Sequence, residues 1–382
     1  MTELDASGAL TPRGDADVEA ASGADGALGA PPGAARRQTV WADVRIYLGA
    51  VVVALVVNAV LLLAIGADPL VAYRQILSSS LGSVAALAQT LNRMTPLLLG
   101  SAAVAFAMRA GYVNLGVDGQ IYGGAILATG TAFALYGLPA AVVLPAVLVA
   151  AILGGGTVAL LPAVLRARRG VNELFTTVML NFVAFYAADY LSTGPWTDPV
   201  AGEAISVPIG AEARLPGFLT GGGHIGILLA LPLIVAMAWW LRRTRAGFEF
   251  RAVGGNPRAA QFGGVSLVAT GVVALVVSGL VAGLAGGIEV TGVHRRLILG
   301  LTPNFGYMAV LIAVLARRSP LGAIPAAFGF AVLIVGSDSL QRSVGLPASA
   351  VFLFQAVVVL AVLYFEVRRG GVLAAVRGRV GR

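Results

Sequence analysis

The stretch Gly111-Tyr-Val-Asn-Leu-Gly-Val-Asp-Gly-Gln120 separates two apolar runs, Asn92 to Met108 and Gln120 to Tyr136. Its side chains Asn114, Asp118 and Gln120 would be expensive facing hydrocarbon. A chain that threads the flanking runs through a bilayer must therefore turn them toward a cavity or the interior of a bundle. Gly111, Gly116 and Gly119, with Gly123-Gly124 just beyond, permit broken helix geometry and close backbone approach. A discontinuous helix offers free backbone donors and acceptors along a path through the membrane. A plain cytoplasmic connector, opened by Arg109, is the other reading of the same residues.

The rest of the composition places the chain in a membrane. With 58% hydrophobic and 12% charged residues and a mean hydropathy of +0.88, it holds several runs near the ~20 residues that cross a bilayer. The expected fold is an all-α polytopic membrane protein with about ten transmembrane segments. Besides the two runs above, these are Ile46 to Gly66, Leu138 to Leu165, Leu174 to Ser192, His224 to Leu241, Val265 to Ile288, Phe305 to Ala316, Leu321 to Gly336 and Ser349 to Phe365. Alternating them from a cytoplasmic N-terminus puts Arg166-Ala-Arg-Arg169, Arg242-Arg-Thr-Arg245, Arg317-Arg318 and Arg368-Arg369 all inside, as the positive-inside rule requires. His294-Arg295-Arg296 falls outside in this scheme, which a re-entrant or partly buried segment would relieve. The net charge of +8 is explained by these flanks, and nucleic acid is not expected as a partner.

What is missing narrows the chemistry. There is no lysine, so the phosphate-binding loop G-x-x-x-x-G-K-[ST] is impossible and ATP hydrolysis must come from another chain. There is no cysteine, which removes thiol nucleophiles, disulfides and Cys-based metal sites. His224 and His294 stand outside any HExxH pattern and read as interfacial or loop residues. No catalytic residue, metal site or cofactor is expected in this chain.

Residues 1–40, rich in Ala, Gly, Asp and Ser, lack the apolar side chains that offset ordering entropy, so a disordered cytoplasmic tail is expected there. Arg36-Arg37 is similar to a twin-arginine export signal. The run that follows is long enough to span, however, and reads as a retained first helix. The permease domain is then expected over 41–368 and a basic cytoplasmic tail over 369–382. Leu301-Thr-Pro-Asn-Phe-Gly-Tyr307 follows a glycine-rich apolar run and precedes another, as the first interruption does. It suggests an internal, inverted repeat of broken helices. If so, Asn114, Gln120, Asn304 and Tyr307 converge on one path. Thr193 to Gly223, with four prolines, is long enough for an external docking surface or a flexible cover.

In Arg251-Ala-Val-Gly-Gly-Asn-Pro-Arg-Ala-Ala-Gln-Phe-Gly-Gly264, Asn256 is a good N-cap, Pro257 suits the first helical position, and Gly263 suits a left-handed C-terminal position. A short helix on the membrane surface follows. Caps alone say nothing of partners. The longer text Thr244-Arg-Ala-Gly-Phe-Glu-Phe-Arg-Ala-Val-Gly-Gly-Asn-Pro-Arg-Ala-Ala260, together with the Gly111 to Gln120 stretch, resembles ABC importer permeases of the branched-chain amino acid, ribose and nucleoside type. Gly66-Ala-Asp-Pro-Leu-Val-Ala-Tyr73 and Gly170-Val-Asn-Glu-Leu-Phe-Thr-Thr-Val-Met-Leu-Asn181 are similar to further blocks of that family, in the same order. The likeness is strongest to the nucleoside and simple-sugar branch.

That resemblance implies a permease subunit of an ATP-driven, binding-protein-dependent importer in a bacterial inner membrane. By that resemblance it would carry nucleosides, or alternatively simple sugars. ATP and Mg would sit on a separate ATPase. The other partners would be a second, shorter permease, an extracellular lipoprotein and membrane lipid. A coupling segment at 242–264 would present Arg251, Gly254, Asn256, Pro257, Ala259 and Ala260 to the ATPase. Asn114, Asp118, Gln120, Asn181, Phe182, Tyr186, Asn304 and Tyr307 would supply hydrogen bonds and an aromatic wall along the path. An ion-coupled transporter, with Asp118, Asp189 and Glu289 as membrane-embedded acids, is the less favoured class because no relay links them. A membrane enzyme lacks its nucleophile and base.

Overall fold

The computed structural model describes residues 49–201, 205–219, 221–344 and 348–368, and these are overwhelmingly helical. The tails expected at 1–40 and 369–382 lie outside the described residues, as do Ile46 to Leu48 at the start of the first run. The helices are α1 (Gly49–Ala64), α2 (Pro69–Leu81), α3 (Val84–Arg109), α4 (Val117–Ala134), α5 (Ala140–Arg169), α6 (Glu173–Thr193), α7 (Gly226–Arg243), α8 (Arg245–Gly255), α9 (Pro257–Phe262), α10 (Leu267–Ile288), α11 (Phe305–Leu315), α12 (Ala323–Val344) and α13 (Ala348–Arg368). Six of them, α3, α5, α6, α7, α10 with its extension to His294, and α12, are each long and apolar enough to cross a membrane. The bent pair α1 and α2 raises this to seven if counted as one span. The protein is a multi-pass membrane protein.

Local signals set most boundaries. The Asp68 carboxylate accepts from the Leu70 and Val71 N–H groups at 2.8 and 3.3 Å and Pro69 fills the first position, so α2 starts at once after α1, bent by 118°. Asn172 caps α6 through the Leu174 N–H at 2.9 Å. At the other end of α5, Gly170 takes φ 65° while Arg166, Arg168 and Arg169 fill the last turn, where cations suit the helix dipole.

α3 and α10 form the middle of the bundle: the apolar window of α3 is 89% buried, whereas that of α6 is 17% buried. α4, α5 and α10 meet along a seam of glycines, Gly123, Gly124, Gly154, Gly155, Gly279 and Gly283. A Cβ placed on Gly124 would fall on the Gly283 carbonyl, so the backbones themselves touch. Small residues allow this approach where lipid supplies no hydrophobic drive between helices. α12 packs on α3 and α2. A smaller cluster of Leu62, Ala67, Ala72, Ile76, Leu340 and Phe354 ties in α1 and α13.

The bundle has two chemically distinct ends. At the basic end, Arg109 bonds the carbonyls of Arg317 and Arg318, while Arg242 and Arg251 line a cavity of about 200 Å³ with it. At the opposite end, the connection from α6 to α7 folds onto the helices. It carries a 3-10 turn, Ala211–Ala213, and an antiparallel hairpin of β1 (Gly217–Leu219) and β2 (Gly223–His224). Gln89 and Asn92 of α3 donate to the Gly221 and Gly222 carbonyls at 2.8 and 2.9 Å. His294-Arg295-Arg296 lies at this end, with His294 beside Glu289 and Arg296 beside Asp198, each pair at 3.3 Å.

Candidate functional site: two broken segments that meet inside the bundle

α3 ends at Arg109, Gly111 turns the chain with φ 83°, and the backbone then runs without helical bonds to Gly116 before α4 begins. Side chains satisfy the groups this leaves free. Asn114 Oδ1 accepts the Gly116 N–H at 2.8 Å, and Asn114 Nδ2 donates to Gln120 Oε1 and to Ser278 Oγ, both at 2.8 Å. Gln120 Nε2 donates back to Asn114 Oδ1 at 3.1 Å. From α6, Asn181 Oδ1 accepts the Gly119 N–H at 2.8 Å while its Nδ2 donates to the Leu115 carbonyl at 2.9 Å. Tyr112 anchors the segment below through a 3.0 Å bond to the Leu267 carbonyl, with the Arg166 guanidinium over its ring.

The second break is built from the other end. α10 continues as a π-helical turn, Glu289–His294, after which Arg295 takes φ 59° and the chain runs back into the bundle. The Gly300 N–H donates to the Tyr122 hydroxyl at 3.1 Å. Asn304, at φ 58°, leads into α11 without capping it. The cap comes instead from α4, whose Asp118 Oδ1 accepts the Gly306 N–H at 2.7 Å. Gly306 allows this, since a Cβ there would collide with the Asp118 carboxylate.

Depth follows from helix geometry. Asn114 bonds Ser278, eleven residues into α10 from its start near the basic end, and α11 has 11 residues between Gly306's neighbour Phe305 and its basic end. At 1.5 Å per residue, each distance is about 16 Å, close to half of a ~30 Å hydrocarbon layer. The N-termini of α4 and α11, each with partial positive character, thus face one another near the middle, and the Asp118 carboxylate lies at both.

The expected path residues divide into two sets. Asn114 and Gln120 are 0% and 1% exposed and are spent on each other, on Ser278 and on backbone. Asn181 is half-buried, with both ends of its amide engaged. Asn304 and Tyr307 are exposed beside the joint, and Phe182 and Tyr186 are exposed on α6 in a stripe with Phe175, Met179 and Tyr190. Tyr186 reaches the joint through ring contacts with Phe185 and then Tyr122, at centroid distances of 5.6 and 5.7 Å. Sequence reasoning missed Ser278, Tyr122 and the Gly300 amide. A lone serine in the otherwise apolar α10 was a usable signal for the first.

The coupling segment contains two helices where one short helix was expected. Thr244 caps α8, and Asn256 caps α9 through the Ala259 N–H at 3.1 Å, with Pro257 first in the helix. The left-handed residue is Gly264, at φ 82°, and not Gly263, whose φ is −75°. The helix runs one residue further because Gly263 N–H still bonds the Ala259 carbonyl, and Val265 N–H reaches back to Ala260. Asn256, Pro257 and Ala259 are exposed, Ala260 is buried, and Arg251 is half-buried. Gly254 packs against the Arg109 carbonyl and Gly111, so this residue faces the bundle. Phe262, which the sequence reading passed over, is 94% exposed.

The model of the family described as branched-chain amino acid transport system / permease component matches residues 86–363. The chain is 34% identical to the glucose ABC transporter permease protein TsgB13 of Haloferax volcanii, over 86% of this chain and 90% of that one. It is 30% identical to the guanosine ABC transporter permease protein NupP of Bacillus subtilis, over 81% and 90%. To the nucleoside ABC transporter permease protein NupB of Lactococcus lactis it is 29% identical, over 83% and 88%.

Proposed function

The chain belongs to the branched-chain amino acid transport system / permease component family, and on that footing we propose that it is the transmembrane permease subunit of an ATP-driven, binding-protein-dependent importer of nucleosides. The observation that carries the transport reading is the joint between Asp118 and Gly306, where two interrupted segments meet near mid-depth. Extended backbone at that depth is tolerated only where protein or a water-filled cavity covers it. The exposed Asn304 and Tyr307, with Phe182 and Tyr186 on α6, then form one wall of the path, and Asp118, Asn114, Gln120 and Asn181 shape it from behind. A second, shorter permease closes the other wall.

In this reading all ten apolar segments cross or enter the membrane, with the N-terminus and the basic end in the cytoplasm. The permease domain spans 41–368. α3 through α5 and α10 through α12 form an inverted repeat, supported by the opposite directions of α4 and α11 and by the packing of α5 on α10 and of α12 on α3. α8 and α9 present Asn256, Pro257 and Ala259 to a separate ATPase, which holds ATP and Mg, while Gly254, Arg251 and Ala260 fix the segment to the bundle. An extracellular lipoprotein delivers substrate to the opposite end.

Nucleoside import is supported by the relatives named for guanosine and nucleosides, and by aromatic rings suited to stacking on a base beside hydroxyl and amide groups suited to ribose. The glucose permease relative favours a second reading, simple-sugar import. The test is uptake into proteoliposomes carrying the complex with its ATPase and lipoprotein, using radiolabelled guanosine and glucose. ATP-dependent guanosine uptake is expected. Glucose uptake alone would select the second reading, and failure of both, with no ATPase copurifying, would sink the importer assignment.

A further inference from the structure

α11 is held at both ends by side chains that belong to other helices. Its N-terminus has no cap of its own, and the Gly306 N–H is taken by Asp118 of α4 at 2.7 Å. Beyond its C-terminus, the Arg317 and Arg318 carbonyls are taken by the Arg109 guanidinium at the end of α3, at 3.5 and 2.5 Å. The charges suit the helix dipole at each end, an anion at the N-terminus and a cation at the C-terminus. Arg109 is also one of the places where the coupling segment touches the bundle, beside the packing of Phe250 on Phe106. A Cβ on Gly254 would strike the Arg109 carbonyl, and Arg109 shares a cavity with Arg242 and Arg251. One eleven-residue helix therefore connects the turn under the coupling segment to the mid-depth joint, where Asn304 and Tyr307 are exposed.

We propose that α11 is the transmission rod of the importer, with Arg109 and Asp118 as positioning residues that clamp its two ends. Movement of the coupling segment against the Arg109 turn shifts the helix as a unit. Asp118 passes that shift to the start of α4, and the exposed residues at the top of α11 move with it. This rests on the importer reading above. A helix of this length serves as a strut because its internal hydrogen bonds leave little freedom along its axis, whereas the segment 295–304 on its far side is a run of turns and bends without a helical ladder of its own.

The assay is the stimulation of ATP hydrolysis by guanosine-loaded or glucose-loaded lipoprotein, whichever the uptake assay accepts, in the full complex in proteoliposomes. Asp118→Leu removes the acceptor for the Gly306 N–H, and Arg109→Leu removes the lower clamp. Each is expected to reduce stimulation about fivefold or more, within the usual range of coupling between sites. Asp118→Asn retains an acceptor oxygen and is expected to stay within about twofold of the parent. The decisive measurement is the double variant. Sites about 16 Å apart ordinarily act additively, but two clamps on one rod do not, so Asp118→Leu with Arg109→Leu should be no worse than the poorer single variant. Additive losses, retained stimulation in both single variants, or an Asp118→Asn as defective as Asp118→Leu would each overturn the proposal. Should Asp118→Leu fail to assemble, Arg109→Leu at the periphery carries the test, because preserved stimulation in that variant alone overturns it. A parent complex that transports nothing removes the importer reading and this inference together. Normal parent uptake with unaffected variants removes only the inference.

Discussion

At the first break, Asn114 and Gln120 are enclosed and bonded to one another and to Ser278, while at the second, Asn304 and Tyr307 stand exposed at similar depth. Both breaks follow a long helix and precede a helix that starts inside the bundle. They differ in what finishes them. The first is completed by its own side chains and by Asn181, and the second borrows its cap from the first through Asp118. Polar residues in this bundle therefore fall into two kinds, those that satisfy an interrupted backbone and those that stay exposed beside it. Residue type does not distinguish them; the hydrogen-bond inventory does.

The harshest test of the enclosed break is Gly124→Leu. Its side chain has to displace the Gly283 backbone, and overpacking of this kind costs about 3 kcal/mol or more, so detergent-stable protein should be lost from size-exclusion profiles. Asn114→Leu comes next. It strands the Gly116 N–H and the Gln120 amide at about 1–3 kcal/mol for an unmet buried group, so its melting temperature should fall together with uptake. A fall in uptake with unchanged melting would move Asn114 to the exposed set and break the comparison.

Asn304→Leu and Tyr307→Leu should behave oppositely, with melting unchanged and uptake reduced about tenfold, equivalent to about 1.4 kcal/mol. The native lack of cysteine makes a labelling test simple. Cys placed at position 304 should react and be protected by substrate, and Cys at position 114 should not react from either side. The smallest effect is expected at Ala259→Glu, on the exposed face of α9. It should weaken copurification with the ATPase several-fold without altering melting, because α9 makes few contacts with the bundle. Gly254→Glu should instead damage the fold, since that position faces Arg109.

Most of the helical frame was legible, because runs of apolar residues bounded by glycine, proline and arginine leave little choice in a bilayer. α2 was missed although Asp68-Pro69 spelled its start. Tyr73-Arg74-Gln75 and Ser78-Ser79-Ser80 dilute its apolar character, so the hydropathy that flags spans was silent. The π-helical extension of α10 lies beyond the apolar run that ends at Ile288, and its first residue, Glu289, is buried with His294 Nε2 3.3 Å away. The interruption at Gly111 to Gln120 was found from its own composition. Its role as a joint was not, because Ser278, Asn181 and Gly306 reach it from 62 to 188 residues away. The hairpin of β1 and β2 was equally out of reach, since it is held by Gln89 and Asn92 of α3.

The glycine seam between α4, α5 and α10 has a mechanical corollary. Ordinary helix contacts yield by exchanging rotamers, so neighbouring helices can slide while side chains refill the gaps. Where carbonyl oxygens meet α-carbons there are no rotamers to exchange, and any relative slide meets the peptide units directly. These three helices consequently behave as a single incompressible block, and a cycle that opens first to one side of the membrane and then to the other has to find its compliance around the block rather than within it.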